Sequence, residues 1–375
     1  MKILYTATVL SHICQFHLPH IRRLKELGHE VHVAAHDNLA VKNGLKLRYA
    51  DRFFEVPFHR SPASADNLRA YRALKALLDR EQYDLILCNT PMGGIVTRLA
   101  AVSHRKKGTR VVYMAHGFHF YKGASKKAWA VYYPIEKCMA RLCDRVITIN
   151  EEDFALAREH LSVPVSHIRG VGVSPERYRP VEDPGTCRAQ LGLQDGDFAV
   201  LCTGELNANK DQRTLIAAAA QLKTRIPGLK VLLAGNGPTE EALRSQIREL
   251  GLEDTVRLLG YRTDLQTIVP AVDLVVSCSR REGLGLNLIE AMLCRRPIVA
   301  AENRGHRELV EEGINGFLFA PGDMDTLAQC IYDICADPSL AARMGRAGCE
   351  RAQRYTVDAV SDVLIPILLG EVSHV

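Results

Sequence analysis

Strand-like and helix-like runs alternate along this chain, and the alternation happens twice. "KILYTAT" (2–8) precedes a helical run, "FHLPHIRRLKELG" (16–28), and "HEVHVAA" (29–35) follows it. "YDLILCN" (83–89), "RVVYMAHG" (110–117) and "DRVITIN" (144–150) continue the series. Near-continuous Val, Ile and Leu in such short runs predict strands buried on both faces, as in a parallel sheet covered by helices. The pattern pauses at "IRGVGVSPERYRPVEDPG" (168–185), whose Gly and Pro predict a linker. A second set then begins with "FAVLCTG" (198–204), "KVLLAGNG" (230–237) and "TVRLLGY" (255–261). It continues through "DLVVSCS" (273–279), "PIVAA" (297–301) and "GFLFAPGD" (316–323). The expectation is two separate α/β domains. Ligands of such sheets bind outside the carboxyl ends of the strands, and a cleft between two such domains is the expected active site.

Length agrees, since 375 residues suit two domains of about 150–200 each. No apolar run approaches the roughly 20 residues needed to cross a bilayer, and the N-terminus lacks the core and cleavage site of a signal peptide. Eleven Cys without C-x-x-C spacing predict reduced thiols in a cytoplasmic protein, not disulfides or structural zinc. Charge is divided unevenly. Residues 1–180 hold 28 Lys and Arg against 16 Asp and Glu, net +12, and residues 181–375 hold 20 against 27, net −7. The first half is therefore expected to meet an anionic surface, the alternative being two solvated faces of opposite sign.

The stretch "SRREGLGLNLIEAMLCRRPIVA" (279–300) carries the most chemistry. It follows a buried strand, and a helix follows it. Gly283 and Gly285 let backbone N–H groups approach a ligand closely. A helix N-terminus next to them offers unpaired donors and a positive dipole, a phosphate site. Glu282 at the strand end would hold sugar hydroxyls, and Glu290, early in the helix, both hydroxyls of a ribose. A sugar, a phosphate pair and a ribose in line make a nucleotide sugar. A dipole-compensating Glu290 and a surface Glu282 account for each residue singly but less well for the joint pattern.

These residues resemble the signature of family 4 glycosyltransferases of the GT-B fold: E-x7-E after a Ser-ended strand, with "EGLGLNLIEAM" and "RRPIVA". The similarity spans essentially the whole chain through "GVGVSPERYRP", "GELNANKD", "LLAGNGPTEEALR" and "GINGFLFAPGD". "MAHGFHFYKG" and "GELNANKD" look most like the enzymes that build bacterial exopolysaccharide or capsule repeat units. The resemblance implies two Rossmann-like parallel-sheet domains, an acceptor-side one at 1–168 and a nucleotide-sugar-binding one at 186–354. A linker at 169–185 and a helix at 355–375 returning to the first domain complete the layout. Three catalytic roles follow from it: Lys210 on the diphosphate, Glu282 on the donor sugar, and His116 reaching the donor sugar from the first domain. Glu290 would bind the ribose, backbone amides near Gly285 and Leu286 the phosphates, and Tyr261 and Arg262 would border the base. Gly204, Gly235 and Gly237 would line the same site. One position departs from the family pattern: Glu205 stands where many members carry an Arg that clamps the diphosphate with the Lys. Facing two phosphates it would repel them. Pairing of Glu205 with a cation, and replacement of the clamp by Arg281 rather than Arg280, are the expectations.

Other features suggest less. "DMD" (323–325) matches a D-x-D metal motif but opens a helix, where Asp caps are common. His12, His17 and His20 lack an accompanying acid or Cys and are expected to line the acceptor side or simply pack. Phe118, Phe120, Tyr121, Trp129, Tyr132 and Tyr133 alternate with Lys122, Lys126, Lys127 and Lys137, which suits a membrane interface or a packed helix with a wet edge. No nucleic-acid-binding signature is present. The expected protein is a retaining, membrane-peripheral glycosyltransferase needing no divalent metal or other cofactor. It would take a UDP-sugar such as a UDP-N-acetylhexosamine to a lipid-linked saccharide acceptor at the inner face of the cytoplasmic membrane. A nucleotide-sugar epimerase and a non-catalytic binding subunit are the rivals.

Overall fold

The computed structural model describes residues 1–41 and 44–371. By its contacts the chain falls into two units: Met1–Gly172 together with the chain from Val357, and Val173–Thr356.

The first unit is built on a seven-stranded sheet. Its strands are β1 (Lys2–Val9), β2 (Glu30–His36), β3 (Arg52–Glu55), β4 (Leu85–Asn89), β5 (Arg110–Ala115), β6 (Arg145–Thr148) and β7 (Val165–His167). They lie in the order β3-β2-β1-β4-β5-β6-β7, every pairing parallel. The central strands are buried along nearly their whole length, as their unbroken apolar runs require. The edge strands β3 and β7 were not among the runs read as strands. Instead of one helix over 16–28 there are two, Leu10–Phe16 and Leu18–Glu26. His17 between them leaves the helical region, and Pro19 opens the second helix, where a missing N–H costs nothing.

The helix Val357–Leu369 belongs to this first unit. His20 joins it to the sheet side: its Nε2 donates to the Val171 carbonyl and its Nδ1 accepts from the Ser361 hydroxyl, each at 2.9 Å. Burial pulls the His20 imidazole down to about 4, against the carbonyl that favours the charged form. At its far end the Arg110 guanidinium donates to the Ile367 and Leu368 carbonyls at 2.8 and 2.9 Å, satisfying acceptors that a helix end leaves open.

The second unit has six strands: β8 (Phe198–Thr203), β9 (Leu229–Ala234), β10 (Val256–Gly260), β11 (Leu274–Ser277), β12 (Ile298–Ala301) and β13 (Gly316–Phe319). Their order is β10-β9-β8-β11-β12-β13, again with parallel pairings. Each sheet reverses its winding once, between β1 and β4 and between β8 and β11. At such a point the connecting loops diverge and leave room for a ligand at the carboxyl ends.

Candidate active site

In the second unit the site grows from the end of β11. The loop after it lies on the first turn of helix Arg304–Leu309, and two contacts leave no room between them. A Cβ at Gly305 would stand 2.7 Å from the Leu284 backbone, and one at Gly285 would stand 3.1 Å from the His306 ring. Gly285 also holds φ +102, a conformation only glycine adopts freely, and it starts helix Leu286–Leu293. Asn303 fixes the floor. Its amide donates to the Ser279 carbonyl at 2.7 Å and its Oδ1 caps helix Arg304–Leu309 at the His306 N–H. His306 Nδ1 donates to the Ala301 carbonyl at 2.6 Å, leaving Nε2 3.3 Å from the Ser277 hydroxyl. Helix Leu286–Leu293 is thus held with its first turn, and that turn's unpaired N–H groups, at the carboxyl end of the sheet.

Two carboxylates sit on either side of that helix start, and the fold gives them opposite tendencies. Glu282 Oε1 is 2.6 Å from Lys210 Nζ. Burial would raise its carboxyl, but the Lys210 charge and hydrogen bond, with help from Ser279 and His306, hold it below the usual range. Glu290 has no such cation. Burial lifts its carboxyl to about 7, although the Tyr178 hydroxyl bonds to it and the Arg177 charge opposes the shift. Glu282 therefore carries a fixed charge, whereas the charge of Glu290 is adjustable.

Lys210 comes from the loop after β8, which begins at Gly204. The loop after β9 passes so close that a Cβ at Gly235 would collide with the Gly204 carbonyl. Gly237 packs as tightly against Leu206. Arg280 and Asn209 tie the β11 loop to the β8 loop: the Arg280 N–H donates to the Asn209 carbonyl at 2.8 Å, and the Asn209 amide to the Arg281 carbonyl at 3.0 Å. Lys210, Glu282, Gly204, Gly235, Gly237, Gly285, Leu286 and Glu290 accordingly sit on the loops and helix at the carboxyl ends of β8, β9 and β11. Tyr261 is exposed after β10, and Arg262 is held by both oxygens of Asp264.

The departure at Glu205 resolves differently from expectation. Glu205 is exposed and takes a hydrogen bond from the Asn207 amide at 3.0 Å. Among the described residues it has no cationic partner, so the expected ion pair is corrected to an amide contact two residues away. Arg280 pairs with Asp211 at 2.8 Å. Arg281 is exposed and makes no ion pair among the described residues, which leaves it the guanidinium free to meet an anion. Asp323 of "DMD" caps its helix, accepting from the Thr326 N–H at 3.0 Å.

In the first unit His116 follows β5. Its Nε2 lies 3.2 Å from His12 Nε2 and 3.1 Å from Asn89 Oδ1, and burial pulls its imidazole down to about 4. Ser279, Asn303, His306 and Tyr178 were missed in the sequence. The N-x-x-H spacing in "ENRGHREL", which places a cap three residues before the amide it bonds, was the available signal for two of them.

A parallel sheet that ends in a glycine-bordered helix start and two half-buried carboxylates is a site fit for a glycosyltransferase. Family models confirm the class: the one described as glycosyl transferases group 1 matches residues 185–351, and the one described as glycosyltransferase family 4 matches residues 20–173. This chain belongs to the family 4 glycosyltransferases and has the GT-B fold. It is 41% identical over 370 residues to the putative glycosyltransferase EpsD of Bacillus subtilis (strain 168), covering 96% of both chains. It is 27% identical to a UDP-Gal:alpha-D-GlcNAc-diphosphoundecaprenol alpha-1,3-galactosyltransferase of Escherichia coli, over 77% of this chain and 76% of that one. Among solved structures, Anabaena Alr3699/HepE in complex with UDP and glucose matches with a TM-score of 0.81 at 26% identity, covering 99% of this chain and 100% of that one.

Proposed function

We propose that this glycosyltransferase moves a sugar from a UDP-sugar to a hydroxyl of a lipid-diphosphate-linked saccharide, with retention of configuration, in the assembly of a surface polysaccharide. The Lys210–Glu282 pair beside the start of helix Leu286–Leu293 carries this reading. In the unliganded protein the lysine neutralises the glutamate. A bound diphosphate takes over the lysine, and Glu282 turns to the sugar hydroxyls. Charge that develops on the departing UDP is met by Lys210, by the helix start and by Arg281, in place of a divalent cation at the diphosphate. The C1–O bond to UDP breaks, the acceptor oxygen bonds to C1 on the same face, and the acceptor proton passes to the departing phosphate. Glu290, when ionised, accepts from the ribose hydroxyls, and His116 contacts the transferred sugar. The Escherichia coli relative named for a UDP-Gal donor and a GlcNAc-diphosphoundecaprenol acceptor supports the choice of both substrates, and the Anabaena structure in complex with UDP and glucose supports the nucleotide.

The test is a melting-curve panel of nucleotide sugars, since a ligand bound only by the folded state raises the melting temperature. UDP and at least one UDP-sugar should stabilise, equally with and without EDTA. Glu282→Gln and His116→Ala should lower turnover with that donor more than they weaken UDP itself. Loss of UDP binding in EDTA, restored by Mg²⁺ or Mn²⁺, overturns the metal-free diphosphate site. Wild-type turnover in either variant overturns that residue's role.

A further inference from the structure

Three histidines from segments far apart in sequence converge in the first unit. His12 lies in helix Leu10–Phe16, His17 at the break after it, and His116 just past β5. One ring nitrogen from each lies within 4.8 Å of the other two. His12 Nε2 and His116 Nε2 are 3.2 Å apart. Two nitrogens on one tetrahedral zinc at about 2.0–2.1 Å are separated by roughly 3.3–3.4 Å, so this pair already stands at ligand spacing. A hydrogen bond also fits 3.2 Å, but His116 Nε2 then has one proton at most for both His12 Nε2 and Asn89 Oδ1.

His17 provides the independent observation. It is fully buried, and neither of its ring nitrogens has a hydrogen-bond partner. A buried polar group left this way gives up its hydration with nothing in return, and proteins rarely tolerate it without a ligand or water. Tyr5 packs its ring edge against His17, and the Tyr5 hydroxyl is also buried without a partner. His20 differs: both its nitrogens are used, so it stands outside the group. The sequence reading grouped His12 and His17 with His20 as lining or packing residues; the structure sets His116, 104 residues away from His12, in the place of His20.

The geometry points to a mononuclear divalent transition-metal site formed by His12, His17 and His116, with a fourth position open to water. The group holds no carboxylate or thiolate, and three neutral imidazoles select zinc, copper or nickel over magnesium or calcium. Asn89 Oδ1, 3.1 Å from His116 Nε2, is placed to accept from a water on the ion. A consequence rests on the role proposed for His116: an imidazole bound to metal is withdrawn from the sugar, so the ion inhibits transfer.

Co²⁺ is the probe, because a tetrahedral Co²⁺ site absorbs strongly in the visible. Metal-stripped protein given one equivalent of Co²⁺ should develop this band, and Zn²⁺ should bleach it and raise the melting temperature. His17→Gln and His12→Gln should each lose the band or weaken Co²⁺ binding by about tenfold or more. Circular dichroism and melting in EDTA report whether each variant folds. His12 is less buried than His17, so its variant decides the matter if His17→Gln unfolds. No band in the wild type, or an unchanged band in folded His12→Gln, overturns the site. Zn²⁺ inhibition of the wild type that is lost in His12→Gln supports site and consequence together. A band without inhibition keeps the site and removes His116 from the sugar.

Discussion

Burial lifts the Glu290 carboxyl to about 7, against the Tyr178 hydroxyl and the Arg177 charge, so the ribose contact proposed for it would link ionisation to nucleotide binding near neutral pH. If only the carboxylate accepts from the ribose, affinity for UDP-glucose should fall about tenfold between about pH 8 and pH 6. UDP-glucose is the better probe than UDP because its phosphates do not titrate in that range. Glu290→Gln should bind more weakly by about 1.5–3 kcal/mol and show a flat profile by calorimetry. The sign for stability is the reverse of the usual carboxylate case. The folded value lies above the ordinary 4.5, so this group's contribution is greatest below that value and is lost as pH rises through about 7. Melting curves of unliganded Glu290→Gln should lack this slope. At Glu205 the exposed carboxylate has only Asn207 to lose. Glu205→Arg should therefore leave stability within about 0.5 kcal/mol while tightening UDP. A large drop in melting temperature, or no gain in affinity, would remove the clamp argument.

The helix Lys126–Ala140 shows what a sequence can and cannot announce. Its mixture of aromatics and lysines was legible, but not which rings face out. Phe118 and Phe120 are core, and Trp129 and Tyr133 pack on Phe120. The exposed apolar set is Val131, Tyr132 and Ile135, at spacings that put them on one side of the helix, with Lys122, Lys126 and Lys127 exposed near its start. A membrane-docking role then predicts two separable effects. Lys122, Lys126 and Lys127 replaced by Glu should abolish preference for phosphatidylglycerol vesicles over neutral ones, since each cation contributes about 1 kcal/mol at an anionic surface. Tyr132→Ser with Ile135→Ser should weaken binding to anionic vesicles without changing its salt dependence. Sedimentation that responds to neither set would leave this face solvated. No helix among the described residues is long and apolar enough to cross a membrane. Strands were legible where both faces are buried, as in β1, β4 and β8. The edges β3 (RFFE) and β7 (VSH) were not, because a short strand with one open side carries polar residues and no apolar run. The contact of Lys210 with Glu282 spans 72 residues, and that of His12 with His116 spans 104. Spacing along a chain says nothing of such meetings until topology folds the strand ends together.

Over the whole molecule, the first unit is discontinuous in sequence: it takes in the chain up to Gly172 and again from Val357. The sole Trp, Trp129, lies in this unit and reports on it alone. A chain ending at Thr356 should lose the Trp129 fluorescence transition of the native protein, or show it at a lower temperature, because His20 and Arg110 lose their partners on the helix Val357–Leu369. UDP binding, which the proposed function assigns to residues of the second unit, should survive within about threefold. The same discontinuity sets an order of events on the ribosome. At about 5–20 residues per second, the 184 residues from Val173 to Thr356 take roughly 10–40 s to emerge. Throughout that interval the nascent first unit lacks the helix on which Val360, Leu364 and Leu368 are buried, so a chaperone that shields the surface awaiting it for those seconds would raise the yield of active enzyme.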